Sequence, residues 1–148
     1  MIFDHEIIPQ SIAEPNSFVG LMTLYESNYI KLNHLFPKIR QYDADRSIKS
    51  PFGNDIHLGI NKKTKYTMII SMTYSFEDSE IIEYEPNLTI KIYFDSRSAE
   101  VISIGKLSKK SKLRDITYQS KNIIDQLWKR NIILNKWLDY IIDCDYSV

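Results

Sequence analysis

The sequence predicts an α+β protein in which an antiparallel sheet of four or five strands is flanked by an N-terminal and a C-terminal helix. Segments with apolar residues every three or four positions lie near both ends, and segments with apolar residues at alternate positions lie between them. The gaps between the alternating segments are too short for the crossovers that parallel strands require. With 148 residues, 43% of them hydrophobic, the chain has the length of one domain with its own core.

The first sixteen residues are predicted to be an N-terminal extension, and the α+β domain is predicted to span residues 17–148. Ser17 occupies an N-cap position before an apolar stripe, which predicts a helix over residues 17–36. Pro37 ends this helix, because the residue before a proline is driven out of the helical conformation.

Four segments alternate in the manner of strands, which indicates a sheet with one apolar and one polar face. The polar residues 38–54 before them are predicted to form a loop, and residues 61–64 a turn between the first two strands. The predicted strands are 55–60, 66–74, 88–95 and 99–105.

The second helix is predicted over residues 120–144, where a wide apolar stripe contains both tryptophans. The single cysteine, Cys144, excludes an internal disulfide and a zinc site built from several cysteines. The N-terminus lacks the basic start and apolar run of a signal peptide, and no apolar stretch approaches the length of about 18 residues that spans a membrane. We therefore expect a cytoplasmic protein without a membrane partner.

The net charge is zero, which makes nucleic acid an unlikely partner because dedicated nucleic-acid-binding domains are usually basic. The sum conceals two opposed segments, since residues 77–85 carry five acids and residues 106–114 carry five bases. The basic segment has two interpretations, a phosphate-contacting loop and a solvated loop that neutralises the acidic segment, and the sequence favours the second. The candidate phosphate-contacting residues are Lys109, Lys110, Lys112 and Arg114.

Motifs for catalysis are missing from the sequence. The histidines are not paired at metal-ligand spacing, and the four glycines are too scattered for a phosphate-binding loop. The sequence thus predicts no catalytic residue, no metal ligand and no cofactor, and it favours a protein that is not an enzyme.

An ordered set of short stretches runs through nearly the whole chain. Its members are Leu21-Met22-Thr23-Leu24-Tyr25-Glu26-Ser27-Asn28-Tyr29, Tyr66-Thr67, Leu88-Thr89-Ile90-Lys91-Ile92-Tyr93-Phe94-Asp95, Ala99-Glu100-Val101, Asp125, Asn131, Leu134, Trp137, Leu138 and Tyr140. This set, over residues 20–142, resembles the YqiB-like proteins, which are bacterial cytoplasmic proteins of similar length grouped as a domain of unknown function. That family usually has Asp-Glu where this chain has Asp125-Gln126, which argues against a paired-carboxylate role there.

The predicted binding site consists of polar-face residues that also fit the resemblance, together with two residues of the first helix. It comprises Glu26, Asn28, Thr67, Thr89, Lys91, Tyr93, Asp95 and Glu100. Core positions need only hydrophobicity and volume, so a resemblance in polar residues indicates a site for a ligand or a partner. A plain solvated face is the competing interpretation, because Thr and Tyr favour strands in any case.

The sequence favours a non-catalytic binding or regulatory module that receives a small polar ligand or a protein partner on this polar face. One alternative is a small hydrolase or nucleotide-handling enzyme that uses Asp95 and Glu100, with a divalent metal as an option. A weaker alternative is RNA binding through the basic segment. Pairing of edge strands leaves homodimer formation open.

Overall fold

The computed structural model describes residues 17–49, 55–75, 87–105 and 123–144, which form two helices and one antiparallel sheet of five strands. The predicted α+β fold is confirmed. The N-terminal extension, the acidic segment 77–85 and the candidate residues Lys109, Lys110, Lys112 and Arg114 lie outside the described residues. The elements are α1 (Phe18–Leu35), β1 (Arg46–Ile48), β2 (Asp55–Lys63), β3 (Thr67–Ser75), β4 (Asn87–Tyr93), β5 (Ser98–Ile104) and α2 (Ile123–Asp143).

Helix α1 has the start and the end that the sequence predicts. The side chain of Ser17 accepts a hydrogen bond of 3.0 Å from the backbone N–H of Gly20, which satisfies one of the free donors of the first turn. The helix ends at Leu35, and the residue between it and Pro37 has already left the helical conformation. Neither helix of the described residues has the length and hydropathy of a membrane-spanning segment.

The sheet is a meander in which each strand pairs with its neighbour in sequence, so β1 and β5 are its two edges. Strand β1 lies inside residues 38–54, where the sequence predicts only a loop, and that prediction is wrong. Its Ile48 is 1% exposed and pairs with Ile56 of β2. The strand was missed because a three-residue edge strand with one buried side chain is too short to show an alternating pattern.

The predicted turn over residues 61–64 is also misplaced. Strand β2 continues to Lys63, and its pairing with β3 shifts between Ile60 and Lys62, so Asn61 is the extra residue of a β-bulge. The polar residues after Ile60 mark this bulge and not the end of the strand. The chain reverses at residues 64–66.

The core lies between the apolar face of the sheet and the two helices. Alternate residues of β2 to β5 are almost completely buried there, and the full burial of each large apolar side chain contributes roughly 1.5–3 kcal/mol. The strands contribute Ile56, Leu58, Met68, Ile70, Met72, Leu88, Ile90, Ile92, Ala99 and Val101. The helices and the segment after α1 contribute Leu32, Leu35, Phe36, Ile39, Tyr42, Ile133, Leu134, Trp137, Leu138 and Ile141.

Six buried polar side chains line the interface between α1 and α2, and we call them the polar ladder. None is more than 5% exposed. They are Ser27, Asn28, Lys31, Asn131, Asn135 and Asp139. The three members from α2 follow one another at intervals of four residues, which places them on one face of the helix.

Hydrogen bonds within the polar ladder fix how the two helices pack. Asn28 Nδ2 donates to Asn131 Oδ1 at 3.3 Å, and Lys31 Nζ donates to Asn135 Oδ1 at 2.7 Å. Lys31 Nζ also lies 2.7 Å from Asp139 Oδ1. Because the residue numbers rise together along both helices, α1 and α2 run parallel to each other.

Candidate functional site

The polar face of the sheet brings together five of the eight predicted binding residues. Thr67 pairs with Tyr93 across β3 and β4, and Lys91 pairs with Glu100 across β4 and β5. Thr89 lies two residues before Lys91 and therefore points to the same side. All five are half-buried, whereas both helices contribute to the core on the opposite, apolar face.

The other three predicted residues lie elsewhere. Asp95 is in the turn between β4 and β5, where its Oδ1 accepts the backbone N–H of Ser96 at 3.0 Å. Glu26 is on the exposed side of α1 and lines, with Arg97, a shallow groove of about 200 Å³. Asn28 is 0% exposed and belongs to the polar ladder.

A cluster of two tyrosines and one glutamate forms where the polar face meets the β5 edge. Tyr93 donates its hydroxyl hydrogen to Glu100 Oε1 at 2.7 Å. Tyr25 of α1, which is 8% exposed, reaches the same carboxylate from the helix side. We call Tyr25, Tyr93 and Glu100 the Glu100 cluster.

The Glu100 cluster holds both phenols in their neutral form. Burial, the negative charge of Glu100 and a hydrogen bond to it raise the pKa of Tyr25 to about 12, against a weaker opposing effect of Arg130. Burial, the hydrogen bond to Glu100 and the charge of Glu100 raise the pKa of Tyr93 to about 12 as well. Glu100 is therefore an acceptor for two hydroxyl groups, and its charge is compensated by their dipoles.

Two cations flank the Glu100 cluster. Lys91 Nζ lies 5.0 Å from the centroid of the Tyr93 ring, at a distance typical of a cation–π contact. Arg130 of α2 is near enough to Tyr25 for its positive charge to act on that hydroxyl. Neither cation forms an ion pair with another described residue, and the buried Nε of Arg130 has no hydrogen-bond acceptor there.

Two asparagines of the polar ladder hold helices α1 and α2 against the β5 edge of the sheet. Asn131 Oδ1 accepts the backbone N–H of Val101 at 2.9 Å, and Asn28 Nδ2 lies 3.5 Å from the carbonyl oxygen of Ala99. These bonds occupy backbone groups at the outer edge of β5, where no further strand pairs among the described residues. Since Tyr25 precedes Asn28 by about one helical turn, the contact of Asn28 with β5 also brings Tyr25 to the β5 edge of the sheet.

Sequence reasoning missed Tyr25 and Arg130. Tyr25 lies on the buried side of the first helix, where the apolar pattern accounts for its ring and gives no sign of a role for its hydroxyl. A signal for the α2 side was available, because Asn131, Asn135 and Asp139 interrupt an apolar stripe at a spacing of four residues. Polar residues on a buried helix face need partners, so this pattern predicts a polar contact for α2.

The two carboxylates of the enzyme alternative have separate partners. Asp95 caps a backbone N–H in a turn, and Glu100 accepts from the phenols of the face. In the described ranges no group of three or more His, Cys, Asp or Glu side chains is arranged to hold a metal ion.

Comparison with known proteins identifies one family. The model of the family described as "Protein of unknown function (DUF1249)" matches residues 31–147, which is most of the chain. No curated protein and no solved structure matches the chain.

Proposed function

This chain belongs to the family of proteins of unknown function DUF1249, and we propose that it is a non-catalytic binding module that receives its ligand or partner on the polar face of the sheet. The observation that carries this proposal is the Glu100 cluster. It places two hydroxyl groups and a carboxylate in fixed positions on a half-buried face opposite the core. Binding sites typically rely on a few such polar groups, held in place by their neighbours.

The organisation of this face argues against the competing interpretation, a simply solvated sheet surface. A solvent-exposed hydroxyl group gains little free energy from a hydrogen bond to one particular side chain, since water molecules form equivalent hydrogen bonds. Tyr93 instead donates to Glu100 at 2.7 Å, and Tyr25 approaches the same carboxylate from a different element. Because α1, β4 and β5 all contribute to this arrangement, its geometry is preorganised for recognition.

The same contacts favour binding over catalysis by Glu100. A general base must have an oxygen free to take a proton from its substrate, and hydrogen bonds from neighbouring hydroxyl groups occupy those oxygens. Glu100 is engaged in this way by Tyr93 and by Tyr25. In this environment Glu100 is better suited to anchor the two phenols than to act as a general base.

Three further assignments belong to the proposal. We assign the chain to the YqiB-like proteins because of the residues that resemble them. Since those proteins are bacterial and cytoplasmic, we also assign this chain to the bacterial cytoplasm. We also assign residues 17–148 to one domain, because both described helices contribute to the same core as the sheet.

A defined compound panel tests the proposal. Nucleotides, amino acids, sugar phosphates and organic acids are screened against the full chain by thermal shift, and each stabilising compound is mapped by two-dimensional amide NMR. The proposal expects shifts confined to β3, β4, β5 and the adjoining part of α1. It also expects binding to weaken by about tenfold in Tyr93→Phe, which removes a single hydroxyl group.

Tyr66→Phe is the matched control, since Tyr66 is 50% exposed and lies outside the strands. Binding is expected to be unchanged in this variant. Compounds whose shifts map to the groove lined by Glu26 and Arg97, with equal affinity for Tyr93→Phe and the unaltered chain, would place the site elsewhere and reject the proposal.

A further inference from the structure

A basic surface lies at the end of the sheet where the turn between β2 and β3 adjoins the turn between β4 and β5. We call it the turn surface, and it consists of residues 38–43 after α1, residues 62–66 at the end of β2 and in its turn, and the ring of Phe94. The two ranges contain five basic side chains and one acidic side chain, which gives them a net charge of +4 in a chain whose total is zero. Asp95 and Arg97, which follow Phe94, carry opposite charges.

Direct contacts join the parts of the turn surface. Arg40 Nη2 donates a hydrogen bond of 3.0 Å to the carbonyl oxygen of Lys65, and the guanidinium carbon of Arg40 lies 4.8 Å from the centroid of the Phe94 ring. Lys63 Nζ donates to the carbonyl oxygen of Tyr42 at 3.3 Å. The fold therefore gathers cations from two separate parts of the sequence on one surface, and it holds Arg40 in a defined position there.

Most cations of the turn surface have no carboxylate to compensate their charge. Asp43 Oδ1 lies 3.3 Å from Lys63 Nζ, so this acid is already paired. The other four cations are exposed and form no ion pair with a described residue, and they are Lys38, Arg40, Lys62 and Lys65. Like charges held close together repel one another and do not stabilise the fold, whereas they attract anions and raise their local concentration.

Tyr66 adds an exposed aromatic ring to the turn surface. It is 50% exposed, and Lys65 Nζ lies 5.2 Å from the centroid of its ring. Its backbone carbonyl accepts the N–H of Phe94 at 2.9 Å, which fixes the turn that carries the ring. Proteins that bind single-stranded nucleic acids combine rings on which bases stack with cations that contact the phosphates. An acidic peptide would use the same cations but would leave the ring without a role.

We propose that the turn surface binds single-stranded nucleic acid, with phosphates at Arg40 and Lys65 and a base stacked on the ring of Tyr66. The forked donors of a guanidinium match the oxygens of a phosphate. A net charge of zero does not oppose this partner, because charges further away than about 8 Å are largely screened at physiological ionic strength. The inference goes beyond the proposed function, since none of these three residues is among the predicted binding residues of the polar face.

Fluorescence anisotropy on the full chain tests the inference with a labelled oligouridylate of about 12 nucleotides, a length that single-strand-binding domains cover. The expected result is saturable binding that weakens roughly twentyfold when sodium chloride rises from about 50 to about 200 mM, which corresponds to contact with about three phosphates. An oligodeoxyuridylate of the same length is the second arm. Binding of either oligonucleotide supports the inference, and tighter binding of the RNA would show that its 2′-hydroxyl groups are contacted.

Variants of exposed side chains assign the two roles, and circular dichroism confirms that each variant is folded. Lys65→Gln is expected to weaken the oligouridylate about fivefold and to make the salt dependence less steep. Lys49→Gln is the matched control, because Lys49 is exposed and lies 3.0 Å from Asp55, the residue at the opposite end of β2. Tyr66→Ala is expected to weaken binding about tenfold, whereas Tyr66→Phe keeps a ring for stacking and is expected to bind normally.

Three results would overturn the inference. The first is a lack of saturable binding to both oligonucleotides at low salt. The second is binding that either Lys65→Gln or Tyr66→Ala leaves unchanged, which would place the nucleic acid elsewhere. The third is a glutamate oligomer that binds as tightly as the oligouridylate and is not weakened by Tyr66→Ala, which would identify an acidic polypeptide as the partner. Each of these results leaves the proposed function intact, because that proposal is tested by Tyr93→Phe.

Discussion

Replacing Lys31 with methionine tests whether the polar ladder is a buried network in solution. Lys31 is 2% exposed, and its Nζ lies 2.7 Å from Asp139 Oδ1 and donates to Asn135 Oδ1 at 2.7 Å. Methionine fills a similar volume and cannot donate a hydrogen bond. Lys31→Met therefore leaves the carboxylate of Asp139, which is 5% exposed, without its cation.

The expected loss follows from the burial of both partners. Removing one member of a buried ion pair costs about 3–5 kcal/mol, because the remaining charge stays in a medium of low polarity. Domains unfold with a free energy of only about 5–15 kcal/mol, so Lys31→Met consumes a large part of the stability. For a chain of this size the loss corresponds to a drop in Tm of roughly 10 °C.

Urea unfolding followed by circular dichroism measures this free energy, and two controls accompany it. The double variant Lys31→Met/Asp139→Leu removes both charges and is expected to recover at least half of the loss, since buried ion pairs are often replaced by apolar residues with little cost. Lys49→Met is the exposed control, because Lys49 Nζ lies 3.0 Å from Asp55 Oδ2 but its side chain is 74% exposed. A surface pair of this kind contributes about 0–1 kcal/mol.

Two results would refute the reasoning. If Lys31→Met is no more destabilising than Lys49→Met, water reaches the ion pair and the polar ladder is not a buried network. If the double variant is less stable than Lys31→Met alone, the uncompensated charge of Asp139 is not the cause of the loss.

Three further predictions concern the face and its edge. Asn131→Ala is expected to cost about 1–3 kcal/mol in urea unfolding, because a backbone N–H of β5 loses its acceptor; a loss below 0.5 kcal/mol would contradict the edge contact. The pKa values of Tyr25 and Tyr93 are raised to about 12 in the folded chain, against about 10 in the unfolded chain. The contribution of the two neutral phenols to the free energy of unfolding is therefore complete below pH 10 and is lost as the pH rises through 12. In Glu100→Gln both tyrosines should titrate at lower pH, as followed by tyrosinate absorbance, and unchanged titration would exclude Glu100 as a cause. Arg97 has a φ of 54°, so Arg97→Gly should stabilise the chain by about 0.5–1 kcal/mol, and a destabilised variant would show that the Arg97 side chain matters more than its backbone strain.

Patterns that extend over many residues made the main elements predictable. Both helices and four of the strands follow from periodic apolar residues, since each buries one face against a common core. Strand β1 did not follow, because its pairing with β2 depends on Ile48 alone and short edge strands carry no period. The extension of β2 to Lys63 was missed for a related reason, as polar residues after a bulge look like a turn.

The candidate site was predictable only where the residues belong to the sheet. Thr67, Thr89, Lys91, Tyr93 and Glu100 were assigned to one face by alternation, which the strand register reproduces. The contributions of α1 and α2 depend on how the helices cross the β5 edge, and a local pattern does not contain that information. Asn28 shows this limit. The sequence assigns its polar side chain to a ligand site, whereas in the fold that side chain contacts the backbone of β5.

The asparagines along β5 also restrict how this protein can assemble. Their bonds to Val101 and Ala99 occupy backbone groups that an incoming strand would need for β-augmentation. Within the described residues the opposite edge is β1, whose three residues offer a short ladder to a neighbouring chain. Extension of the sheet by a further strand, the usual route to aggregation for an open meander, is therefore obstructed at Ala99 and Val101 of β5.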